Sequence, residues 1–375
     1  MARTDAPGTR TTELLPPVPA AFTEVLDAVG ASFDLTTDVP EPQDAPPLRW
    51  GILGAGTIAG TFATDVPNFS SGIIAAVGSR DRDKAQAFID ARPATAKGGT
   101  ARAHGSYEEL VTNDEVEAVY VATPHAFHAE HALMALEAGK PVLVEKPFTV
   151  NTAQARRVLE TARERGLFAM EAMWTRFLPG HRLTHRLVTS GALGQIRHVR
   201  ADHFQSLLHL GRMASPELAG GALLDLGVYP LSFIHSMLGV PLNQSVTGRL
   251  NAQGLDLEEV SVMGYDGLIA VASSGMDAAG QNTAEVIGST ARLTLDSWFY
   301  RPAPVSLSRC GADGVDTVAW DATVPGGFQF EVAEVARCVK GGRTESSVMP
   351  WFATAEVMMM MDDVREALGV VFPGE

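Results

Sequence analysis

Residues Arg49 to Ala59 read RWGILGAGTIA, a short apolar run that ends in glycines and leads into a helix-compatible segment. Trp50, Ile52 and Leu53 suit a buried strand. Gly54 and Gly56 permit a tight turn and close backbone approach, and Ala59 stands where a dinucleotide-binding fingerprint accepts Gly or Ala. The amide N–H groups at the start of the next helix, around Thr57 and Ile58, would then face a pyrophosphate with the helix dipole behind them. The same turn also occurs as an ordinary strand-to-helix connection, so its meaning rests on the sequence around it.

That sequence alternates. Strand patterns at Gly72 to Gly78, Val116 to Ala122, Pro141 to Val144 and Leu167 to Ala172 are separated by helical patterns at Asp83 to Asp90, Ala126 to Ala138 and Asn151 to Arg165. Ser106 and Glu109 are spaced as a capping box, and Gly139 and Gly166 stand where helices stop in the left-handed conformation. Such alternation builds a parallel sheet covered on both faces, with the glycine turn at its first strand-to-helix connection.

After Gly191 the texture changes. Gln195 to Gln205, Ser245 to Asn251, Glu258 to Tyr265, Leu268 to Ser274, Thr283 to Ile287 and Arg292 to Leu295 alternate apolar and polar residues between Gly and Asp-Gly turns, as antiparallel strands do. GGALLDLGVYPLSFIHSML, from Gly220, interrupts them as a helix. A last helix, Trp351 to Leu368, carries the methionine run Met358 to Met361, which reads as core packing or an oligomer contact. The expected fold is α/β: an N-terminal Rossmann doubly wound parallel sheet plus a C-terminal α+β domain with a large, mostly antiparallel open sheet. The expected division is an N-terminal extension over 1–47, partly disordered, a dinucleotide-binding domain over 48–172 and a substrate and oligomerisation domain over 173–375, whose last helix is placed to pack back on the Rossmann domain. Within the extension, Phe22, Val25, Leu26 and Val29 have helical spacing and predict one short helix over Ala20 to Phe33.

Composition narrows the function. The chain has 375 residues, 46% of them hydrophobic and 19% charged, which suits two globular domains with cores of their own. A formal charge of -15 and the lack of any basic block argue against a nucleic-acid partner. Cys310 and Cys338 have no motif spacing and read as isolated buried thiols in preference to a bridge. No apolar run approaches the ~20 residues needed to cross a bilayer. The opening MARTDAPGTRTTELLPPVPA lacks an apolar signal core and a twin-arginine pair. The expectation is a cytoplasmic protein with no membrane partner.

An NAD-type site places Asp or Glu at the end of the second strand, against the ribose 2′-hydroxyl. Here IIAAVG runs into Ser79-Arg80-Asp81-Arg82-Asp83-Lys84. Ser79 can hydrogen-bond a 2′-phosphate, Arg80 can clamp it in bidentate fashion, and Lys84 adds a second cation. NADP(H) is therefore expected over NAD(H). The alternative is a solvated Arg80 with Asp81 on the ribose.

VEKPF at Val144 to Phe148, GILGAGTIA, ATPHAFHAEHALMALEAGKPVL from Ala122, and GGALLDLGVY together resemble the glucose-fructose oxidoreductase and inositol dehydrogenase family over roughly residues 49 to 373. Within it, MEAMWTRFLP from Met170, the tyrosine ending DLGVY, and MDDVREALGVVFPGE are most similar to the dimeric dihydrodiol dehydrogenases and the NADP-dependent D-xylose dehydrogenases. Many relatives carry His where this chain has Tyr229. The resemblance implies hydride transfer between NADP(H) and a CH–OH or C=O group of a small-molecule diol, sugar or cyclic polyol. It also implies a homodimer or homotetramer formed through the C-terminal sheet.

The same resemblance assigns roles. Tyr229 becomes the acid/base and Lys146 its partner. Glu145 reaches a ribose hydroxyl or orients the lysine. Thr123, His125 and His128 border the nicotinamide ribose, Trp174 and Arg176 line the nicotinamide and substrate pocket, and Asp225 binds a substrate hydroxyl or holds Lys146. The chemistry is consistent, because hydride transfer at a carbinol carbon needs a proton moved on its oxygen. A free phenol titrates near ~10, and a neighbouring ammonium favours its ionised form. Bland readings stand beside these: a surface ion pair for Glu145 and Lys146, a core tyrosine for Tyr229, and a packed aromatic under a snorkelling arginine for Trp174 and Arg176. His125 and His128 have no third ligand at zinc-like spacing, so no metal is expected. The same fold also serves NAD-dependent redox-assisted glycosidases and catalytically silent NADP(H)-binding regulators.

Overall fold

The computed structural model describes residues 10–311 and 314–375. The chain forms two compact units, one built on Pro40–Trp174 with Pro325–Met358, the other on Thr12–Val39, Thr175–Val324 and Met359–Glu375.

The first unit holds a six-stranded sheet of β1 (Arg49–Leu53), β2 (Ile73–Gly78), β3 (Arg102–His104), β4 (Ala118–Val121), β5 (Val142–Glu145) and β6 (Ala169–Ala172). Its order is β3-β2-β1-β4-β5-β6, and every neighbouring pair is parallel. Strands β4 and β5 are buried along their whole length, as AVYV and VLVE must be when helices cover both faces. The chain winds outward to one side after β1 and to the other after β4, so a crevice opens beyond the carboxyl ends of these two neighbours. Asn151 caps the helix Thr152–Arg165 by accepting from Gln154 N at 2.9 Å, and Gly166 ends it at φ 62°. The capping box at Ser106 is displaced by one residue: Ser106 accepts from Glu109 N at 3.1 Å, but Glu109 returns to Gly105 N.

The second unit holds an eight-stranded sheet of β7 (Ile196–Phe204), β8 (Asn243–Leu250), β9 (Asp256–Tyr265), β10 (Leu268–Gly275), β11 (Ala284–Gly288), β12 (Ala291–Leu295), β13 (Val305–Gly311) and β14 (Gly314–Trp320). In the order β14-β13-β12-β11-β7-β10-β9-β8 all pairs are antiparallel except β7 with β10. The expected fold is therefore present. Beyond the sequence reading, the chain adds β3, β13, β14 and the helices Pro179–Thr189 and Phe328–Lys340.

Residues Thr12–Val39 belong to this second unit. The helix Ala20–Asp27 buries Phe22 and Leu26 completely, while Val29 beyond it is exposed. Side chains fasten the segment: Trp320 Nε1 donates to Pro16 O at 2.9 Å, Arg186 Nε to Ser32 O at 2.8 Å and Arg182 Nε to Asp38 O at 3.1 Å. The first nine residues of the expected extension lie outside the described residues. One stretch, Pro216–Leu238, is long and apolar enough to span a membrane by composition, against the expectation from the sequence, but it is 94% buried inside the protein and serves as core. Met358, Met360 and Met361 are buried too, which makes the methionine run largely packing. Cys338 carries a free, buried thiol; the side chain of Cys310 lies outside the described residues.

Candidate active site

Gly54 ends β1 at φ +108°, where an L side chain is strained, and a Cβ there would stand 2.6 Å from Ala122 O at the end of β4. Its own N–H donates to Gly78 O at 3.0 Å, which draws the ends of β1 and β2 together. A Cβ on Gly56 would meet nothing within 4 Å. Gly56 is the N-cap of the helix Thr57–Phe69, with no side chain bonded to the cap, and Gly56, Thr57 and Ile58 are all exposed. The arrangement is an open helix N-terminus at a strand switch point, and it fits a pyrophosphate.

At the end of β2, Ser79 is buried and Arg80 and Lys84 are exposed. Asp81 is turned onto its own helix, Arg82–Asp90: its Oδ1 accepts from Asp83 N at 2.9 Å and Lys84 N at 3.3 Å. A carboxylate so engaged is a helix cap. The Arg80 charge is felt by neighbouring groups, acting to lower both Tyr107, whose phenol burial pushes up, and His131, which burial pushes down.

Beyond β4 and β5, buried hydrogen bonds fix the turn that carries Lys146. His128 is fully buried, with Nδ1 2.8 Å from Pro147 O and Nε2 2.8 Å from Thr123 O. Burial pushes its ring down to about 3, so at neutral pH it is uncharged and donates to one of these carbonyls. Thr123 Oγ1 also meets His131 Nδ1 at 2.9 Å, and His125 stands edge-on to His128 with centroids 5.6 Å apart. The Lys146–Pro147 bond is cis. Glu145 is buried and holds the residue that follows it: Oε2 accepts from Lys146 N at 3.1 Å, and Oε1 accepts from the Tyr120 hydroxyl. Phe148 N donates to Glu171 Oε1 at 3.1 Å. Tyr120 is stacked on Phe62, centroids 3.8 Å apart, and Trp174 is stacked on Phe328 at 4.9 Å.

Behind this turn, Glu331 is completely buried and neither carboxyl oxygen has a hydrogen-bond partner. Burial, reinforced by the charges of Glu145 and Glu171, holds it well above the ordinary carboxyl range. A carboxyl raised in the folded state stabilises most fully below its unfolded value, and that contribution is lost as pH rises toward the folded value. Glu331→Gln removes the loss. Its melting temperature should gain on the wild type steadily from about pH 5 to about pH 8, followed by differential scanning calorimetry; a gap that does not widen with pH would show that Glu331 is not held neutral.

In the second unit, a π-helical turn, Leu223–Gly227, runs into the helix Val228–Leu238 and presents Asp225 and Tyr229. Asp225 is buried and held in bidentate fashion by Arg212, whose Nη1 and Nη2 lie 3.2 and 3.1 Å from its two oxygens. Tyr229 sits in an aromatic cluster, with centroids 5.1 Å from His203 and 5.0 Å from Tyr300. Gln205 Nε2 joins the cluster at 2.9 Å from the Tyr300 hydroxyl and 2.7 Å from His203 Nε2. Arg176 is buried: Nε donates to Ser232 Oγ at 2.9 Å, and Nη2 reaches Ser232 O at 3.1 Å and His235 Nδ1 at 3.2 Å. These bonds tie it to the helix that bears Tyr229.

The sequence reading missed Tyr120, Glu171 and Glu331 in one unit, and Arg212, His203, Gln205 and Tyr300 in the other. His203 and Gln205 carried a signal, two polar residues at strand spacing, one on β7 and one just past its end. The others are brought in from distant sequence.

A parallel sheet in this order, with a glycine turn at its switch point, is a Rossmann dinucleotide-binding architecture, and the sequence comparisons place it among the oxidoreductases. Residues 48–173 match the family model described as "Oxidoreductase family, NAD-binding Rossmann fold", and residues 181–294 match "GFO/IDH/MocA C-terminal domain". The chain belongs to the GFO/IDH/MocA oxidoreductase family, as its motifs led us to expect. It is 35% identical over 342 residues to trans-1,2-dihydrobenzene-1,2-diol dehydrogenase of Bos taurus, covering 87% of this chain and 98% of the relative. It is 32% identical to the NADP(+) D-xylose 1-dehydrogenase of Hypocrea jecorina, over 87% of this chain and 93% of that one. Among solved structures, a 3-ketoreductase from Actinomadura kijaniata in complex with NADP and TDP-benzene superposes with a TM-score of 0.75 at 29% identity, covering 86% of this chain and 98% of its own.

Proposed function

We propose that this chain is an NADP(H)-dependent oxidoreductase that interconverts a CH–OH and a C=O group on a diol, sugar or cyclic polyol. Its similarity to dehydrogenases named for a dihydrodiol and for D-xylose, along nearly their whole length, supports this substrate class. The observation that carries the reading is the Lys146 turn, whose backbone is held by Glu145 on one side and His128 on the other, at the strand ends where open α/β sheets present reacting groups.

In this reading Gly54, Gly56, Thr57 and Ile58 take the pyrophosphate, and Ser79, Arg80 and Lys84 take the 2′-phosphate. Thr123, His125 and His128 border the nicotinamide ribose, and Trp174 lines the nicotinamide pocket. The nicotinamide, when bound, supplies the hydride acceptor or donor. Tyr229 moves the proton on the substrate oxygen, Lys146 favours the ionised phenol and holds the substrate hydroxyl, and Asp225 and Arg176 border the substrate. Glu145 spends both oxygens on Tyr120 and Lys146, which favours its role as the lysine's orienter over that of a ribose ligand. We assign cofactor binding to residues 48–172, and substrate and oligomer contacts to 173–375. We place the enzyme in the cytoplasm, in keeping with the free thiol of Cys338. We assign its oligomer contact to the β8–β10 side of the large sheet, where Val262 and Ile269 are exposed.

The test is reduction of NADP+ followed at 340 nm, near ~pH 9 to favour loss of the carbinol proton, against vicinal diols, aldopyranoses and inositols. Turnover with a diol or an aldose is expected. NADPH binding without turnover on any of them would leave only a binding protein, and sedimentation as a monomer would remove the oligomer assignment.

A further inference from the structure

The π-turn that presents Asp225 and Tyr229 is gripped from beneath by two carboxyls of β9. At its start, Asp256 Oδ2 accepts from Leu223 N at 2.5 Å, and a Cβ on Gly221 would stand only 2.3 Å from Asp256 Oδ1. At its end, a Cβ on Gly227 would stand 2.5 Å from Glu259 Oε1, which accepts from the Ser274 hydroxyl. Asp256 and Glu259 are 1% and 3% exposed, too dry for two independent charges, and Glu259 Oε2 is buried with no hydrogen-bond partner. The two glycines let the backbone descend onto the carboxyls. Any side chain at either position would lift the turn off them.

Their surroundings are unequal. Asp256 receives backbone N–H groups at a helix start, where negative charge is favoured. It also feels Arg365, whose guanidinium pairs with Asp362 and Glu375. Glu259 faces Ser274 on β10 and feels the charges of Asp256 and Glu258. From β7 the turn meets His203, whose Nδ1 lies 3.2 Å from Leu226 O. One member can therefore be an anion and the other cannot.

We propose that Asp256 and Glu259 are positioning residues for proton transfer at Tyr229, sharing one proton so that an ionised Asp256 caps the turn while a neutral Glu259 supports Gly227. Burial supports the same order, pushing Asp256 up to about 6 and Glu259 well above the ordinary carboxyl range. At neutral pH the pair holds the turn. When Glu259 gives up its proton, two buried anions repel beneath Tyr229 and the grip loosens.

The inference rests on Tyr229 as acid/base, so Tyr229→Phe is assayed alongside; full turnover in that variant would sink the role of Tyr229 without touching the carboxyl pair. Isosteric changes separate the two carboxyls. Asp256→Asn should lower kcat about tenfold and leave the affinity for NADPH, measured by fluorescence titration, unchanged. Glu259→Ala should lower kcat similarly and Glu259→Gln should restore it, because the amide mimics the neutral acid. Glu259→Gln should also abolish the part of the melting-temperature decline that wild type shows as pH rises above the ordinary carboxyl range, a readout that stands even if Asp256→Asn does not fold. Equal losses in Asp256→Asn and Glu259→Gln, or an unchanged pH dependence of melting in Glu259→Gln, would overturn the proposal.

Discussion

Tyr229→Phe should retain NADPH binding and lose turnover by roughly 10²- to 10⁴-fold, the range expected when a positioned acid/base is removed. The substitution removes the phenol oxygen and keeps the ring. Tyr229 is buried between His203 and Tyr300, and Phe keeps both ring contacts. In the proposed roles Lys146 both favours the phenolate and holds the substrate hydroxyl, so Lys146→Met should fall by at least a comparable factor. Combining the two should cost little more than either alone, since groups that act as one unit are not additive. Stopped-flow and steady-state kinetics on the three variants, with fluorescence titration of NADPH as the control, decide the matter. Turnover near wild type in both single variants would take the pair out of the mechanism.

That expectation depends on a lysine whose backbone has little freedom. Glu145 takes the Lys146 N–H, His128 reaches Pro147 O, and Glu171 takes the Phe148 N–H, so three consecutive residues are tied to buried groups. A lysine on a free surface turn would have to order its backbone as well as its side chain each time it engaged a ligand, whereas the backbone of this turn is ordered on folding. VEKPF was visible in the sequence as a strand end carrying Lys146. The tie from Glu171 was not, because it comes from elsewhere in the chain and looks like an ordinary strand acid until the fold buries it.

The same contrast runs through the molecule. Glycine turns, strand-helix alternation and the terminal helix were legible because they are local, set by periodicity and by residues that only turns tolerate. Strands β13 and β14 were not read, although VSLSRCG alternates well, because the pattern is brief and is interrupted by the glycines Gly311 and Gly314. In the sequence, Glu258 to Tyr265 reads as an alternating strand, with no role for Asp256 or Glu259. The structure instead buries Asp256 and Glu259, because Gly221 and Gly227 bring a helix turn onto them. Asp225 was legible as a candidate ligand of a substrate hydroxyl, but its partner Arg212, on a short 3-10 turn, was not.

Cofactor choice is where a local reading and the structure bear on the same few atoms. A ribose-binding acid must present its carboxylate to the cofactor, and Asp81 is occupied with Asp83 N and Lys84 N of its own helix. Redirecting it would uncap that helix at a cost of about 1 kcal/mol. Arg80 pays no such penalty: it is exposed at the strand end, next to buried Ser79. A charge-assisted bond to a 2′-phosphate contributes about 1.5–3 kcal/mol, so Arg80→Ala should weaken NADPH binding roughly 10- to 100-fold and leave NADH binding nearly unchanged. Ser79→Asp in the Arg80→Ala background sets a carboxylate where the 2′-phosphate would lie and should reverse the preference outright, with NADH the tighter ligand. Salt supplies a second check. Raising ionic strength screens the exposed Arg80 and Lys84, so NADPH affinity in the wild type should fall with salt more steeply than NADH affinity, and Arg80→Ala should flatten that difference. Titration of both nucleotides into the three proteins at two salt concentrations measures every arm; tighter NADH than NADPH binding in the wild type would assign the ribose to Asp81 instead.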